Sequence, residues 1–245
     1  MPGRRPGGND RGASLAEPGR DRLDLKSKVP EAVVRASTLT EQVYLKLREG
    51  LLLGVWKPGE KLTARALSRT LGVSLTPARE AITRLATEGA ISVSETRMYS
   101  IPELDRAQYE EITRIRLQLE PMAAAMAARN ATDALVERLD DINEGLKARI
   151  LAEDFDEGLR LDSEFHLSVY DAAGSAVLRR LIDTLWLQIG PTRTRLLPEY
   201  RRKLIGYENH RNVIDALRRH DEPAAQRAMH KDLTEGANAI ISVLV

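Results

Sequence analysis

The stretch LTARALSRTLGVSLTPAR, residues 62–79, sets the pattern from which the rest of the chain is interpreted. Thr63 is a typical helix N-cap, because its hydroxyl can accept a backbone N–H of the first turn. Leu67 and Leu71 follow it at helical spacing. Gly72 then permits a tight turn between two helices. The stretch therefore predicts a helix, a turn and the start of a second helix, which is the order of a helix-turn-helix.

The second helix is predicted to run from about Ser74 to Glu88. Ser74 and Thr76 are both candidate N-caps, Pro77 suits the first helical turn, and Gly89 ends the helix. The inward face carries Ile82, Leu85 and Ala86, and the outward face carries Thr76, Arg79, Thr83 and Arg84. Arginines and short hydroxyls near a helix N-terminus can read bases in a major groove. A merely solvated face has the same composition, so this alternative stays open here.

Composition limits the classes of function. The chain has 245 residues, enough for one or two domains with a sizeable core. Its 37 basic and 36 acidic residues nearly cancel, which argues against a wholly basic nucleic-acid coat but permits a local basic face. Because Cys is absent, disulfides, thiolate zinc sites and cysteine nucleophiles are excluded. No apolar run approaches the roughly 18 residues of a membrane span, so we expect a cytoplasmic protein without a membrane partner.

The N-terminal part divides into a tail and a compact domain. Residues 1–36 are rich in Gly, Arg, Pro and Asp without periodicity, and we predict that they are disordered. A first helix is predicted over Thr40–Leu53. After the helix-turn-helix, Ala90–Val93 and Tyr99–Ile101 are predicted to form a β-wing of two short strands. Three helices followed by a hairpin predict a winged helix-turn-helix domain over residues 37–102.

The remainder, residues 103–245, begins with Asp105 and Gln108 at capping-box spacing and contains no convincing strand. Six helices are predicted at about 105–129, 132–152, 155–172, 175–197, 199–219 and 222–243, with a kink at Pro191. Their apolar stripes predict an antiparallel bundle. The predicted fold is therefore mainly α, with an N-terminal winged helix-turn-helix that has a small β-wing and a C-terminal all-α antiparallel helical bundle.

Four polar side chains on three helices are predicted to point into this bundle. Asp162 and His166 are four residues apart and share a helix face, and His210 and His230 lie on apolar stripes of their own helices. Buried unpaired carboxylates and imidazoles are costly, and one shared metal ion would satisfy all four. Three His and one Asp suit Zn²⁺, Ni²⁺, Cu²⁺, Fe²⁺ or Mn²⁺. In the alternative interpretation, each His is separately hydrogen-bonded in the core.

His220 is left out of this predicted site. It ends a helix and precedes Asp221, so we interpret the pair as a cation near a helix C-terminus followed by a capping aspartate. The same dipeptide raises the alternative of an all-helical metal-dependent hydrolase of the HD phosphohydrolase type. The predicted ligand set lacks an obvious separate general base, so we do not expect an enzyme.

The chain resembles bacterial transcription regulators of the GntR family, FadR subfamily, whose C-terminal helical domain is called FCD. The resemblance covers about residues 38–245. In the first part it rests on LLLGVWKPGEKL and LGVSLTPAREAITRLATEGAI, and in the second on RIRLQLEPMAAAMAA, LDSEFHLSVYDAAGS, ENHRNVIDALRRHDEPAA and AMH. Both halves fit the family independently and in the right order.

The resemblance implies DNA contacts from the start of the second helix, from the recognition helix and from the wing. The predicted DNA-binding residues are Arg65, Leu75, Thr76, Arg79, Thr83 and Arg97. Arg65 and Arg79 match contacting arginines, and Thr76 matches the helix tip. The chain departs from the family at Leu75, where an Arg is usual, and at Met98, where a Gly is usual. One lost Arg–guanine contact removes about 1–3 kcal/mol of base discrimination, so we expect an unusual operator.

The resemblance also implies a metal ion and an effector. Metal-binding members use an Asp and three His at positions that match Asp162, His166, His210 and His230, and their effectors are often small carboxylates. Arg116 is predicted to pair with such an acid, although Glu120, one turn on, offers it a structural ion pair instead. Arg193 and Arg195 are weaker candidates and are expected to be surface charges.

Family members are homodimers that place two winged helices on a palindromic double-stranded operator. The resemblance therefore implies a regulator, bound to the nucleoid when it holds DNA, whose operator affinity responds to a small organic acid beside a divalent transition metal such as Zn, Ni or Mn. In a second interpretation, the metal ion is itself the signal.

Overall fold

The computed structural model describes residues 38–244. The tail predicted over residues 1–36 lies outside the described residues. Two parts follow each other along the described chain, which we call the head (residues 38–102) and the body (residues 103–244). Both are mainly helical, and the small sheet belongs to the head, as the predicted fold class requires.

The described head consists of three helices and three short strands. They are α1 (Leu39–Leu52), β1 (Lys61–Leu62), α2 (Ala64–Leu71), α3 (Leu75–Thr87), β2 (Ser92–Val93) and β3 (Tyr99–Ser100). Local signals set their ends. The Thr63 hydroxyl accepts the Ala66 N–H at 3.1 Å and caps α2. Gly72 has a φ of 65° and ends α2 in the left-handed region. Ser74 takes the N-cap position of α3 without a side-chain capping hydrogen bond.

The wing is a three-stranded antiparallel sheet in the order β1–β3–β2. The predicted hairpin is present, and Val93 of β2 lies opposite Tyr99 of β3. The third strand, β1, was not predicted; its Leu62 pairs with Tyr99 from the other side. A two-residue strand has no periodicity of its own, so only its pairing with β3 defines it.

The described body consists of seven α-helices and a 3₁₀ turn. They are α4 (Arg106–Asn130), α5 (Asp133–Leu151), α6 (Phe155–Ala172), α7 (Ala176–Ile189), the 3₁₀ turn (Pro191–Arg195), α8 (Pro198–Arg201), α9 (Ile205–Arg218) and α10 (Glu222–Ile241). Asp105 and Gln108 form the predicted capping box at the start of α4. Asp221 accepts the Ala224 N–H at 2.9 Å and caps α10, as predicted.

Two predicted helices are shorter than expected. The helix predicted over 175–197 does not kink at Pro191 but ends at Ile189 and gives way to the 3₁₀ turn, because Pro has no N–H to continue the α-helical ladder. The helix predicted over 199–219 is interrupted between α8 and α9, where Leu204 takes a φ of 56°. No Gly or Pro marks that interruption in the sequence.

Helix packing places α4 at the centre of the body, in contact with α6, α7, α9 and α10. The head meets the body where α1 packs against α7. Arg48 of α1 donates to Asp183 of α7 at 2.5 Å, and Asp183 also accepts from Arg179 at 2.8 Å. Just beyond α7, a Cβ at Gly190 would lie 2.1 Å from the carbonyl oxygen of Leu51, so only glycine fits this approach. No described helix combines the length and low charge that a bilayer crossing requires.

Candidate functional site

The outer face of α3 presents polar side chains that the fold leaves exposed. Thr76, Arg79 and Thr83 are exposed, whereas Ile82 and Leu85 on the opposite face are fully buried. Arg79 forms no ion pair with any acidic side chain of residues 38–244. Its guanidinium is therefore available to a partner that the chain itself does not supply.

Arg84, on the same helix, is engaged within the head. It donates to Glu41 at 2.6 Å and to Glu88 at 3.3 Å, and its guanidinium lies 3.6 Å from the centre of the Tyr44 ring. These contacts join α3 to α1. The outward orientation predicted for Arg84 is correct, but its side chain is engaged in contacts that connect two helices of the head.

The other predicted DNA-contacting residues lie on exposed parts of the head. Arg65 is exposed in the first turn of α2, and Leu75 is 40% exposed at the start of α3. Arg97 is exposed in the turn of the wing with a φ of 58°, so the left-handed position falls one residue before Met98. The Thr83 hydroxyl lies 3.2 Å from the Tyr99 hydroxyl and links α3 to the wing.

In the body, the structure brings together three of the four residues predicted as metal ligands. We call Asp162 and His166 of α6 and His210 of α9 the Asp–His cluster. One ligand atom from each lies within 4.8 Å of the other two. The Nε2 atoms of the two imidazoles are 3.3 Å apart, and Asp162 Oδ1 lies 3.6 Å from Nε2 of His210.

Hydrogen bonds at the far nitrogen fix the orientation of the His210 ring. Asn143 donates from Nδ2 to the carbonyl oxygen of Tyr207, so its Oδ1 remains as an acceptor. That oxygen lies 3.1 Å from His210 Nδ1, which therefore carries the proton. Nε2 of His210 is then left with a lone pair that points into the cluster.

The His166 ring is fixed in the same way through a longer chain. The Tyr170 hydroxyl donates to Glu120 in a close contact, so it accepts a proton from His166 Nδ1 at 3.1 Å. Glu120 also accepts from Trp186 Nε1 at 3.0 Å. In this tautomer Nε2 of His166 also has a free lone pair, which is directed at Nε2 of His210. Hydrogen bonds of this kind are typical of imidazoles that ligate metals.

Two facing lone pairs repel each other unless a cation lies between them. A proton on His210 does not fill this role at neutral pH, because burial lowers the pKa of His210 to about 4 against the opposing charges of Asp232 and Asp162. Burial alone would raise the pKa of Asp162, but the charge of Arg193 more than offsets this and lowers it, so this ligand is ionised. The residues of the cluster therefore fit a divalent metal ion.

His230 does not join the cluster, which corrects the prediction. Its side chain is exposed, and its Nδ1 lies 3.5 Å from the hydroxyl of Thr234 on the same helix. The inward stripe of α10 instead contains Met229, Asp232 and Leu233, all buried. Two residues of a helix separate their side chains by about 200°, so His230 and Asp232 face opposite ways. His230 was predicted to point inward from its spacing to Leu233 and Ala237, and Asp232 was not predicted as a ligand.

Arg116 forms the ion pair with Glu120 that the sequence offered as the alternative to effector binding. It is buried and donates from Nε and Nη2 to the two carboxylate oxygens of Glu120, at 2.5 Å and 3.1 Å. Burial opposes its charge, but the Glu120 carboxylate more than offsets this and raises the pKa of Arg116. Its predicted contact with an effector stays a prediction.

Arg193 is not the surface charge that we expected. It is 8% exposed, it donates to Ser163 at 2.7 Å, and it makes a close contact with Asp162. The burial of Arg193 depends on the 3₁₀ turn, which was not predicted from the sequence. Arg195 is partly exposed and donates to Glu103 at 2.8 Å, as a surface charge does.

A cavity of about 100 Å³ lies beside the Asp–His cluster, with room for several water molecules or a small organic acid. Its lining includes Asp162, His166, Arg193, Tyr200, Arg201 and Asp232. Arg201 forms no ion pair with the described acidic residues and donates to the backbone oxygens of Leu196, Phe155 and Arg193. The cavity therefore combines residues of the Asp–His cluster with three guanidinium groups, those of Arg116, Arg193 and Arg201.

His220 stays outside the cluster, as predicted. It follows α9 with a φ of 52°, and its Nδ1 lies 3.0 Å from the carbonyl oxygen of Ala128. The next residue, Asp221, is the cap of α10. The dipeptide that suggested an HD-type hydrolase is thus accounted for by helix ends.

Comparison with known proteins tests the resemblance. The model of the bacterial regulatory proteins of the gntR family matches residues 39–97, and the FCD domain model matches residues 111–235, about half of the chain. This chain belongs to the GntR family. Its two parts have the FadR-like arrangement of a DNA-binding head followed by an FCD domain, so the chain is a GntR-family transcriptional regulator with an effector-binding domain.

Two relatives of this GntR-family chain come from Escherichia coli (strain K12). The HTH-type transcriptional regulator McbR is 35% identical over 154 residues, which cover 63% of this chain and 70% of McbR. The HTH-type transcriptional repressor RspR is 24% identical over 202 residues, 82% of this chain and 89% of RspR. A solved structure of E. coli McbR/YncC superimposes with a TM-score of 0.77 at 29% identity and covers 84% of this chain and 99% of that one.

Proposed function

We propose that this GntR-family regulator binds a palindromic operator as a homodimer, and that a small organic acid held beside a divalent metal ion in the body changes its affinity for DNA. The observation that carries the proposal is the distance of 3.3 Å between the Nε2 atoms of His166 and His210. Neither imidazole has a protein donor at that nitrogen, and His166 lines the cavity.

The head supplies the DNA contacts in this proposal. Arg79 is exposed and without an ion pair in the described chain, on a helix whose other face is the core of the head. An arginine in this position can donate two parallel hydrogen bonds to guanine in the major groove. Thr76 and Leu75 lie in the first turn of the same helix, where the polar groups of bases are nearest. Arg65, Thr83 and Arg97 complete the proposed contact set.

The body supplies the ligands of the metal ion and the walls of the effector site. Asp162, His166 and His210 would hold the ion, of the Zn, Ni or Mn type, and Arg193 keeps Asp162 ionised. When bound, such an ion supplies a coordination position that a carboxylate can occupy. Arg201 adds a guanidinium without an acidic partner in the described chain. The cavity therefore suits a small acid better than a neutral or cationic ligand.

A chain of contacts connects this site with the head. His166 is linked through Tyr170 and Glu120 to Trp186 of α7. One turn earlier on α7, Asp183 binds Arg48 of the head. An effector that binds two arrangements of α7 with different affinities would shift the position of the head, and thereby the affinity for DNA.

Mobility-shift assays test both halves of the proposal. A duplex is first enriched from a random pool on the native protein, and Arg79→Ala is then compared with Arg227→Ala, which removes an exposed arginine from α10. Arg79→Ala should lose ten- to a hundredfold in affinity, since one bidentate contact is worth about 1–3 kcal/mol, while Arg227→Ala should bind as the native protein does. Equal binding by both variants would refute the role of Arg79.

The same duplex tests the body. Metal-free protein is titrated with ZnCl₂ or MnCl₂ alone, and the metal-loaded protein is then titrated with a panel of small carboxylic acids. We expect DNA affinity to change with an acid only when the metal is present. A change with metal alone, unaffected by any acid, would favour the second interpretation, in which the ion is the signal.

A further inference from the structure

The carboxylate of Asp232 is buried, and its one partner at ion-pair distance among the described residues is the imidazole of His166. The Asp232 side chain is 9% exposed, and its Oδ2 lies 3.2 Å from His166 Nε2. Within residues 38–244 it forms no hydrogen bond and no ion pair with Lys or Arg. In the neutral tautomer that donates from Nδ1 to Tyr170, the Nε2 atom beside Asp232 is an acceptor as well. Two acceptors at this distance, one of them charged, require a cation between them.

The position of Asp232 on α10 directs it into the cavity. Met229, Leu233, Ala237 and Ile240 are buried along the same helix face, and Asp232 belongs to this stripe. Asp232, Asp162 and His166 line one cavity. His230, two residues earlier, is exposed on the other side of α10.

Charge balance points the same way. Asp162 and Asp232 place two carboxylates beside the two imidazoles, and a divalent ion would balance their charge. Arg193 already contacts Asp162, but no cationic side chain of the described residues reaches Asp232. A buried carboxylate in this situation is costly unless a cation is bound beside it.

We propose that Asp232, and not His230, completes the ligand set with Asp162, His166 and His210. This assignment rests on the metal site of the proposed function. The set then contains two carboxylates and two imidazoles in place of one carboxylate and three imidazoles. Carboxylate ligands suit harder ions such as Mn²⁺, whereas imidazole suits Zn²⁺ and Ni²⁺. The replacement of an imidazole by a carboxylate therefore lowers the ratio of the Zn²⁺ affinity to the Mn²⁺ affinity of the site.

Calorimetric titration of the full-length, metal-free protein with ZnCl₂ and with MnCl₂ tests this assignment. Asp232→Asn keeps the shape of the side chain and removes its charge, and it should weaken the binding of both ions by about tenfold or more. His230→Gln is the matched control on the same helix and should bind both ions as the native protein does. Circular dichroism of the metal-free variants establishes that each is folded.

A third variant, Asp232→His, tests the preference between ions. It should widen the ratio of the Zn²⁺ and Mn²⁺ affinities by about tenfold relative to the native protein, and it keeps the proposal testable if Asp232→Asn fails to fold. Three results would each overturn the assignment of Asp232 and leave the rest of the metal site untouched. They are native-like metal binding by Asp232→Asn, an unchanged affinity ratio in Asp232→His, and a loss of metal binding in His230→Gln. A native protein that binds neither ion would overturn the metal site as a whole, whereas the DNA contacts are tested separately by mobility shift.

Discussion

Arg79 of α3 and Arg116 of α4 are both arginines on amphipathic helices, yet their surroundings are opposite. Arg79 is exposed and has no acidic partner in the described chain, whereas Arg116 is buried and donates from two nitrogens to Glu120. The fold does not depend on the first guanidinium, so it is free to recognise a partner. It does depend on the second, because a buried charge without its partner is costly.

The same contrast extends to the regions around them. On the outer face of α3, the side chains of Thr76 and Arg79 are exposed and form no hydrogen bond with the other described residues. The interior of the body is one connected network, in which Glu120 receives hydrogen bonds from Arg116, Tyr170 and Trp186. Substitutions of Thr76 and Arg79 should therefore affect binding and spare stability, while substitutions in the network should affect stability first.

The largest effect is expected at the centre of the network. Glu120→Ala leaves Arg116 buried without its partner and should lower the free energy of unfolding by about 3–5 kcal/mol. Glu222→Ala, which removes the exposed partner of Arg129, is the control and should leave the urea midpoint unchanged. Equal midpoints for the two variants would show that the network does not stabilise the fold.

A smaller effect is expected from pH in protein freed of metal by a chelator. Burial lowers the pKa of His210 to about 4, below the value of about 6.5 for an exposed histidine. Between these values the unfolded state binds more protons than the folded state, so the free energy of unfolding falls as the pH drops from about 6.5 to 4. The loss is on the order of 3 kcal/mol. Urea unfolding at several pH values measures it, and His210→Gln should flatten the profile; an equally steep profile would contradict this account.

The smallest effect is expected within α3 itself. Arg84→Ala removes the ion pairs to Glu41 and Glu88 and the contact with the Tyr44 ring, and it should lower the free energy of unfolding by about 0.5–1 kcal/mol, because the side chain is half exposed and its pairs are screened. Arg79→Ala should leave the thermal midpoint unchanged. If Arg79→Ala were the more destabilising of the two, the guanidinium of Arg79 would have a structural role that the contacts do not show.

Features with local signals were predictable from the sequence. The caps Thr63, Asp105 and Asp221 depend on a side chain three residues or fewer from the N–H that it accepts, and Gly72 depends on its own φ. The recognition helix and the pairing of Asp162 with His166 on one helix face follow from helical periodicity in the same way.

Features that depend on distant contacts were not predictable. The interruption at Leu204 contains no Gly or Pro, and β1 exists only through its pairing with β3. The burial of Arg193 depends on Asp162 and Ser163, about 30 residues earlier in the chain. Asp232 is the instructive error. Helical periodicity places it on the stripe of Met229, Leu233, Ala237 and Ile240, but His230 was placed inward from its spacing to Leu233 and Ala237 alone.

The approach of Gly190 to the Leu51 carbonyl oxygen has a consequence for how a signal leaves the body. At this point two main chains touch, and no flexible side chain lies between them to absorb a displacement. A shift at the end of α7 would therefore act on the end of α1 directly, through main-chain contact. Side chains elsewhere on the two surfaces can then vary without loosening this mechanical connection, provided that position 190 stays a glycine.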